Sequence, residues 1–127
     1  MNAIANRKHT FDDGTSEIIS AALEVHKTLG PGFQEVIYQR ALFYEMKLRN
    51  IEFTREAEID IFYKGKKVGK KRVDFFVGDC LVEMKAKAAL EEVDFIQTLS
   101  YLRASGKKVA LLLNFGVPKL EIKRIVN

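Results

Sequence analysis

The segment Arg72 to Lys85, RVDFFVGDCLVEMK, constrains this chain more than any other. Two strand-like runs flank Gly78-Asp79, and a glycine at the first central position suits a two-residue type II′ hairpin turn. With that turn, Val77 faces Cys80, Phe76 faces Leu81, Phe75 faces Val82, Asp74 faces Glu83 and Arg72 faces Lys85. Side chains alternate along a strand. One face then carries Val73, Phe75, Val77, Cys80, Val82 and Met84, and belongs against a core. The other carries Arg72, Asp74, Phe76, Leu81, Glu83 and Lys85.

The rest of the chain supplies the layers around this hairpin. Residues 1–13 read as an arm, and 14–127 as one domain. Asp13 or Thr15 caps a first helix, whose stripe is Ile18, Ala22, Val25 and Leu29. Gly30-Pro31-Gly32 stops it. A second helix runs from near Phe33 to about Arg49, with Ile37, Ala41, Tyr44 and Leu48 as its core stripe and Asn50 as C-cap. The period then changes. Phe53 to Tyr63 alternates as a strand, Lys64-Gly65 turns, and Val68 to Val77 returns with Gly69 at a bulge. A third strand covers Cys80 to about Lys87, and a helix covers Leu90 to Ala104. Val109 to Asn114 is a short apolar run that reads as a buried strand, and Ile122 to Val126 as a last edge strand. The order ααβββαβ(β) predicts an α/β (α+β) fold, with a mixed central sheet flanked by helices.

Length and composition exclude several classes. At 127 residues the chain is one domain and large enough to bury a core without staples. A single cysteine, Cys80, rules out an intramolecular disulfide and a thiolate zinc site. No apolar run approaches the ~20 residues of a membrane span. Met1 to Asp13 lacks the apolar core of a signal peptide, so the expected setting is cytoplasmic.

Asp74 against Glu83 is the pairing that asks for chemistry. Directly opposed residues hold their Cβ atoms about 4.5–5.5 Å apart, and like charges there destabilise a sheet. A divalent cation resolves the conflict, since Mg²⁺ takes one or two protein carboxylates together with waters and substrate phosphate. Lys85, two residues along the same face, can orient a water or offset phosphate charge. A solvated face with an indifferent register is the plainer alternative.

Other groups gather more loosely. Glu35 and Tyr38 share a face of the second helix, and Glu35 also suits the positive end of the helix dipole. Asp94, Gln97 and Tyr101 share a stripe on the later helix. Lysine and arginine number 21 against 17 acids, a net charge of +4. Lys64, Lys66, Lys67, Lys70, Lys71 and Arg72 crowd one stretch without an acid among them. They read either as a solvated hairpin tip or as a nucleic-acid contact. His9 and His26 lack ligand spacing. Cys80 reads as core, as do Phe43, Tyr44, Phe53, Phe62, Phe75 and Phe95.

Gly32-Phe33-Gln34-Glu35-Val36-Ile37-Tyr38 resembles the signature of the small bacterial GxxExxY proteins, and Ala22 to Gly32 resembles that family's lead-in. Arg72 to Phe75, Leu81 to Lys85, Gln97 to Leu102, Asn114-Phe115-Gly116 and Ile122 to Asn127 are similar as well. The likeness covers about residue 15 to the C-terminus. That family is placed in the PD-(D/E)XK nuclease superfamily, so the resemblance implies a restriction-endonuclease-like core. By its motifs, Asp74 matches the first acid, Glu83 and Lys85 the E-x-K, Glu35 an extra acid from an N-terminal helix, and Gln97 a polar residue on the following helix. The resemblance implies that Glu35, Asp74 and Glu83 hold Mg²⁺ (or Mn²⁺) and that Lys85 positions the attacking water. Where the family pattern has a polar residue, often His, shortly before the glutamine, this chain has Val93, Asp94 and Phe95.

Three functions compete. The first is a Mg²⁺-dependent nuclease cutting DNA phosphodiesters, with the Lys64 to Arg72 cluster on the backbone and a homodimer for double-strand cutting. The second is a catalytically silent nucleic-acid-binding module, and the third a protein-interaction module. The intact Glu35, Asp74, Glu83 and Lys85 set favours the first.

Overall fold

The computed structural model describes residues 14–127; the arm expected over 1–13, with His9 and the Asp13 cap, lies outside the described residues. The elements are α1 (Thr15–Leu29), α2 (Glu35–Leu48), β1 (Thr54–Tyr63), β2 (Lys66–Val77), β3 (Cys80–Lys85), α3 (Glu92–Ser105), β4 (Val109–Asn114) and β5 (Glu121–Val126). The five strands form one mixed sheet in the order β1-β2-β3-β4-β5. β3 and β4 are parallel, joined by the α3 crossover, and every other neighbouring pair is antiparallel.

The sheet is covered on both faces. Ile18, Ile19, Ala22 and Val25 of α1 and Tyr38, Leu42 and Met46 of α2 pack against Phe75, Val82, Met84, Leu111 and Leu113. On the other face, Leu102 of α3 packs against Ala57, Ile59, Val73, Leu81 and Ala110. β4 is buried along its whole length, which explains its unbroken apolar sequence. Each large aliphatic side chain so buried contributes about 1.5–3 kcal/mol.

Both hairpin turns follow from their residues. Lys64 and Gly65 have φ of 49° and 81°, the double positive φ of a type I′ turn. Gly78 has φ of 56°, and the register Val77↔Cys80, Phe76↔Leu81, Phe75↔Val82 is the expected one.

Four expectations need correction. The second helix begins at Glu35, and its buried stripe is Tyr38, Leu42 and Met46, not Ile37, Ala41, Tyr44 and Leu48. Both series are apolar at helical spacing, and the buried one carries Tyr38, whose hydroxyl has two partners. Tyr44, Leu48 and Phe62 are exposed. Thr15 is the first residue of α1, with Gly14 at the cap. Finally, Val73 lies on the α3 face while Phe75 lies on the α1–α2 face, so the alternation along β2 slips by one at Asp74. The neighbouring strand slips with it: Arg55↔Phe75 and Ala57↔Val73 are paired, and Glu56 between them is left-handed at φ 51°. Such a kink re-aims the side chains on either side of it.

Candidate active site

The kink sits where the site is built. Pairing between β2 and β3 stops at Phe75↔Val82, one residue short of Asp74 and Glu83. Beyond it the strands are joined through carboxylates instead of carbonyls. The Asp74 N–H donates to Glu83 Oε1 at 3.0 Å, and the Met84 N–H donates to Asp74 Oδ2 at 2.8 Å. The expected backbone pairings Asp74–Glu83 and Arg72–Lys85 are therefore absent. The two acids nonetheless face each other, each bonded to an amide at the other's position or next to it.

Helices supply the remaining walls. Gln39 Nε2, from the buried side of α2, donates to Asp74 Oδ1 at 2.6 Å. Arg55 of β1 donates to Gln39 Oε1 through Nε at 3.4 Å and Nη2 at 3.3 Å. Lys85 Nζ donates to Gln97 Oε1 on α3 at 3.3 Å. Glu35, in the first turn of α2, stays solvent-exposed but lies within the electrostatic reach of Asp74 and Lys85.

The electrostatics are those of crowded acids. Burial, then the Asp74 charge, pushes Glu83 up to about 8, against the pull of the Asp74 amide and Lys85. Shielding by neighbouring atoms and then Asp74 raise Glu35 as well. Tyr101 is raised by burial and then by the Glu83 charge. Burial beside the Asp74 charge works against the charged form of Glu83, and a hard divalent cation would favour that form.

Of the expected set, Asp74 and Glu83 are joined through hydrogen bonds, as are Lys85 and Gln97, while Glu35 and Tyr101 lie within electrostatic reach of the acids. Tyr38 does not join them. Its ring is fully buried and stacks on Phe115 at 4.8 Å between centroids. Its hydroxyl donates to Gly30 O at 2.6 Å and accepts the Phe33 N–H at 3.1 Å, so it fastens the loop between α1 and α2. The basic cluster is divided. Lys67 meets Asp60 at 3.0 Å, Lys70 meets Glu58 at 3.5 Å, and Arg72 meets Glu56 and Glu58 at 3.6 Å. The stretch has no acid in sequence, but β1 brings three across the ladder.

Sequence reasoning missed three supporting groups. Gln39 carries the signal of standing four residues after Glu35, on the same helical face. Asp94, read from the sequence only as sharing a stripe with Gln97 and Tyr101, is buried. It accepts the Glu91 N–H at 2.8 Å and Lys87 Nζ at 2.9 Å. Burial works to raise its pKa, but the Glu91 amide and Lys87 outweigh it and hold the carboxyl below its ordinary value. Asn114 is fully buried and ties down the loop after β3: its Oδ1 accepts the Lys87 N–H at 3.0 Å, and its Nδ2 donates to Lys87 O at 3.0 Å.

Among the described residues no three His, Cys, Asp or Glu side chains stand grouped as a ready-made metal cage, so the donor set here is the Asp74–Glu83 pair with Glu35 outside it. No helix is long and apolar enough to cross a membrane. The family model of the PD-(D/E)XK nuclease superfamily matches residues 12–125. No curated protein and no solved structure matches the chain.

Proposed function

The chain belongs to the PD-(D/E)XK nuclease superfamily, and from that membership we propose that it is a divalent-metal-dependent nuclease that hydrolyses DNA phosphodiester bonds, of the GxxExxY kind. The observation that carries this reading is the parting of β2 and β3 at Asp74 and Glu83, where each carboxylate accepts a backbone N–H of the other strand.

In this reading Asp74 and Glu83 hold a cation, Mg²⁺ or Mn²⁺, with Glu35 completing the set. When bound, the ion would polarise the scissile phosphate and lower the pKa of a water. The protein's own part is positioning. The amides of Asp74 and Met84 and the Gln39 side chain fix the two carboxylates before any ligand arrives. Lys85, anchored by Gln97, presents an ammonium that orients the attacking water or offsets charge developing on the phosphate. Lys64, Lys66 and Lys71 have no ion pair among the described residues and are free to meet a nucleic-acid backbone. One chain supplies one site, so cutting both strands calls for a homodimer. A cytoplasmic setting goes with this reading.

A second reading is the same fold binding nucleic acid without turnover, through Lys64, Lys66 and Lys71, which have no ion pair among the described residues. Calorimetric titration with Mg²⁺ and Mn²⁺, run on the wild type and Asp74→Asn beside plasmid and single-stranded DNA cleavage, separates the two. The nuclease reading expects cation binding and cleavage, both lost in Asp74→Asn. Cation binding without cleavage of either DNA supports the silent module. No binding at millimolar cation, with or without DNA, removes the metal site.

A further inference from the structure

The fold pairs with acids half of the cations that the sequence groups together. Lys67, Lys70 and Arg72 are neutralised by β1. A different set is mounted on aromatic rings. Lys47 Nζ lies 5.2 Å from the Phe43 centroid, the Arg55 guanidinium 4.5 Å from the same centroid, and Lys107 Nζ 4.6 Å from that of Phe76. None of the three has an ion-pair partner among the described residues.

These groups share one place. Phe43, Lys47, Phe76 and Lys107 line a groove of about 950 Å³, and among the described residues lining it Glu52 is the one carboxylate. Each ring has a cation over it, which takes a face away from stacking with a base. A ring beneath an ammonium or guanidinium instead holds a mobile charge in place. Lys107 gives one proton to Gly78 O at 3.0 Å and keeps two donors. What the groove offers is fixed positive charge, which fits an anionic chain.

Arg55 connects this groove to the carboxylates. The guanidinium that lies over Phe43 also donates to Gln39, and Gln39 holds Asp74. Glu35 and Lys47 stand near opposite ends of α2, roughly 18 Å apart along the helix axis. That span covers about five base pairs of duplex at 3.4 Å each.

We propose that Lys47, Arg55 and Lys107 form a track for a phosphodiester backbone, running from the carboxylate cluster along the C-terminal half of α2. This track, not the ion-paired side of the β1–β2 hairpin, supplies most of the nucleic-acid affinity. The inference rests on the nuclease reading for its ligand and extends it to named contacts.

The test is binding of a fluorescent 20-base-pair DNA duplex in EDTA across a salt series, with an RNA duplex of the same sequence as a second arm. Lys47→Gln, Arg55→Gln and Lys107→Gln are each expected to weaken binding about 3–10-fold, and to reduce the slope of log K against log salt by about one. Lys47→Arg should restore both. The double variant Lys67→Gln/Lys70→Gln should change affinity less than twofold. Loss on DNA, RNA or both supports the track and states which backbone it takes. Track variants that bind as tightly as the wild type, or a wild type with no salt-dependent binding, overturn it. Cleavage with Mg²⁺ is scored separately. A protein that binds through the track without cutting keeps this inference and removes the nuclease reading. One that cuts while its track variants bind normally does the reverse.

Discussion

Glu83 is the side chain whose charge depends most on what surrounds it. Its pKa of about 8 in the fold stands above the ordinary 4.5, so between those values the native state binds a proton that the unfolded chain releases. Stability from this source is fully present below about pH 4.5 and is lost as pH rises through about 8. In chelator, the wild-type melting temperature should therefore fall from pH 5 to pH 9. Glu83→Gln keeps the acceptor for the Asp74 N–H without the charge. It should match the wild type near pH 5 and exceed its stability by on the order of 2 kcal/mol at pH 9. Parallel melting curves for the two proteins across that range would assign the raised pKa elsewhere. Tyr38 gives the opposite kind of test. Tyr38→Phe removes a buried hydroxyl with two partners and should cost about 1–2 kcal/mol by denaturant melts. Cation affinity of the folded variant should stay unchanged, and a specific loss of affinity would return Tyr38 to the site.

Elements decide how much of this was legible beforehand. The turn at Gly78 and the register next to it follow from glycine's backbone freedom, and the layer order follows from the change of period along the chain. The kink at Asp74 does not, because alternation was carried past the last paired residues. Left-handed Glu56 and carboxylate-to-amide bonds replace the ladder there. Opposed acids were thus found for a sound reason in a slightly wrong backbone. The inner stripe of α2 was ambiguous because two apolar series compete on one helix. The loop after β3 was invisible, since its partner Asn114 comes 27 residues after Lys87. That loop carries a prediction. Gly116 lies so close that a Cβ on it would stand 2.4 Å from the Lys87 N and O. Gly116→Ala must push the loop away, and Asn114→Ala leaves both Lys87 backbone groups unpaired. Each should destabilise the fold by about 1–3 kcal/mol or more, measured in urea. Gly116→Ala that melts like the wild type would show that the loop is free to give way.

The whole molecule couples the site to its stability unevenly. β3 and β4 lie at the centre, with Leu81 to Met84 and Ala110 to Leu113 buried. The far end of the β1–β2 hairpin pairs only with itself and exposes Phe62, Tyr63 and Val68. Amides in the centre therefore exchange with solvent only through global opening, whereas those at the hairpin tip exchange through local fraying. A cation held by Asp74 and Glu83 would tie β2 to β3 and would bind the folded state alone. By mass action it should stabilise that state by about 2.7 kcal/mol at one hundred times its dissociation constant. Hydrogen exchange with and without Mg²⁺ separates these regimes. The central amides should slow about 100-fold at that concentration, and the tip amides from Phe62 to Val68 should not change. Uniform slowing would mean that the cation acts on the whole surface. No slowing at the centre would mean that no cation joins the two strands. The predicted split puts the binding free energy where β2 and β3 part.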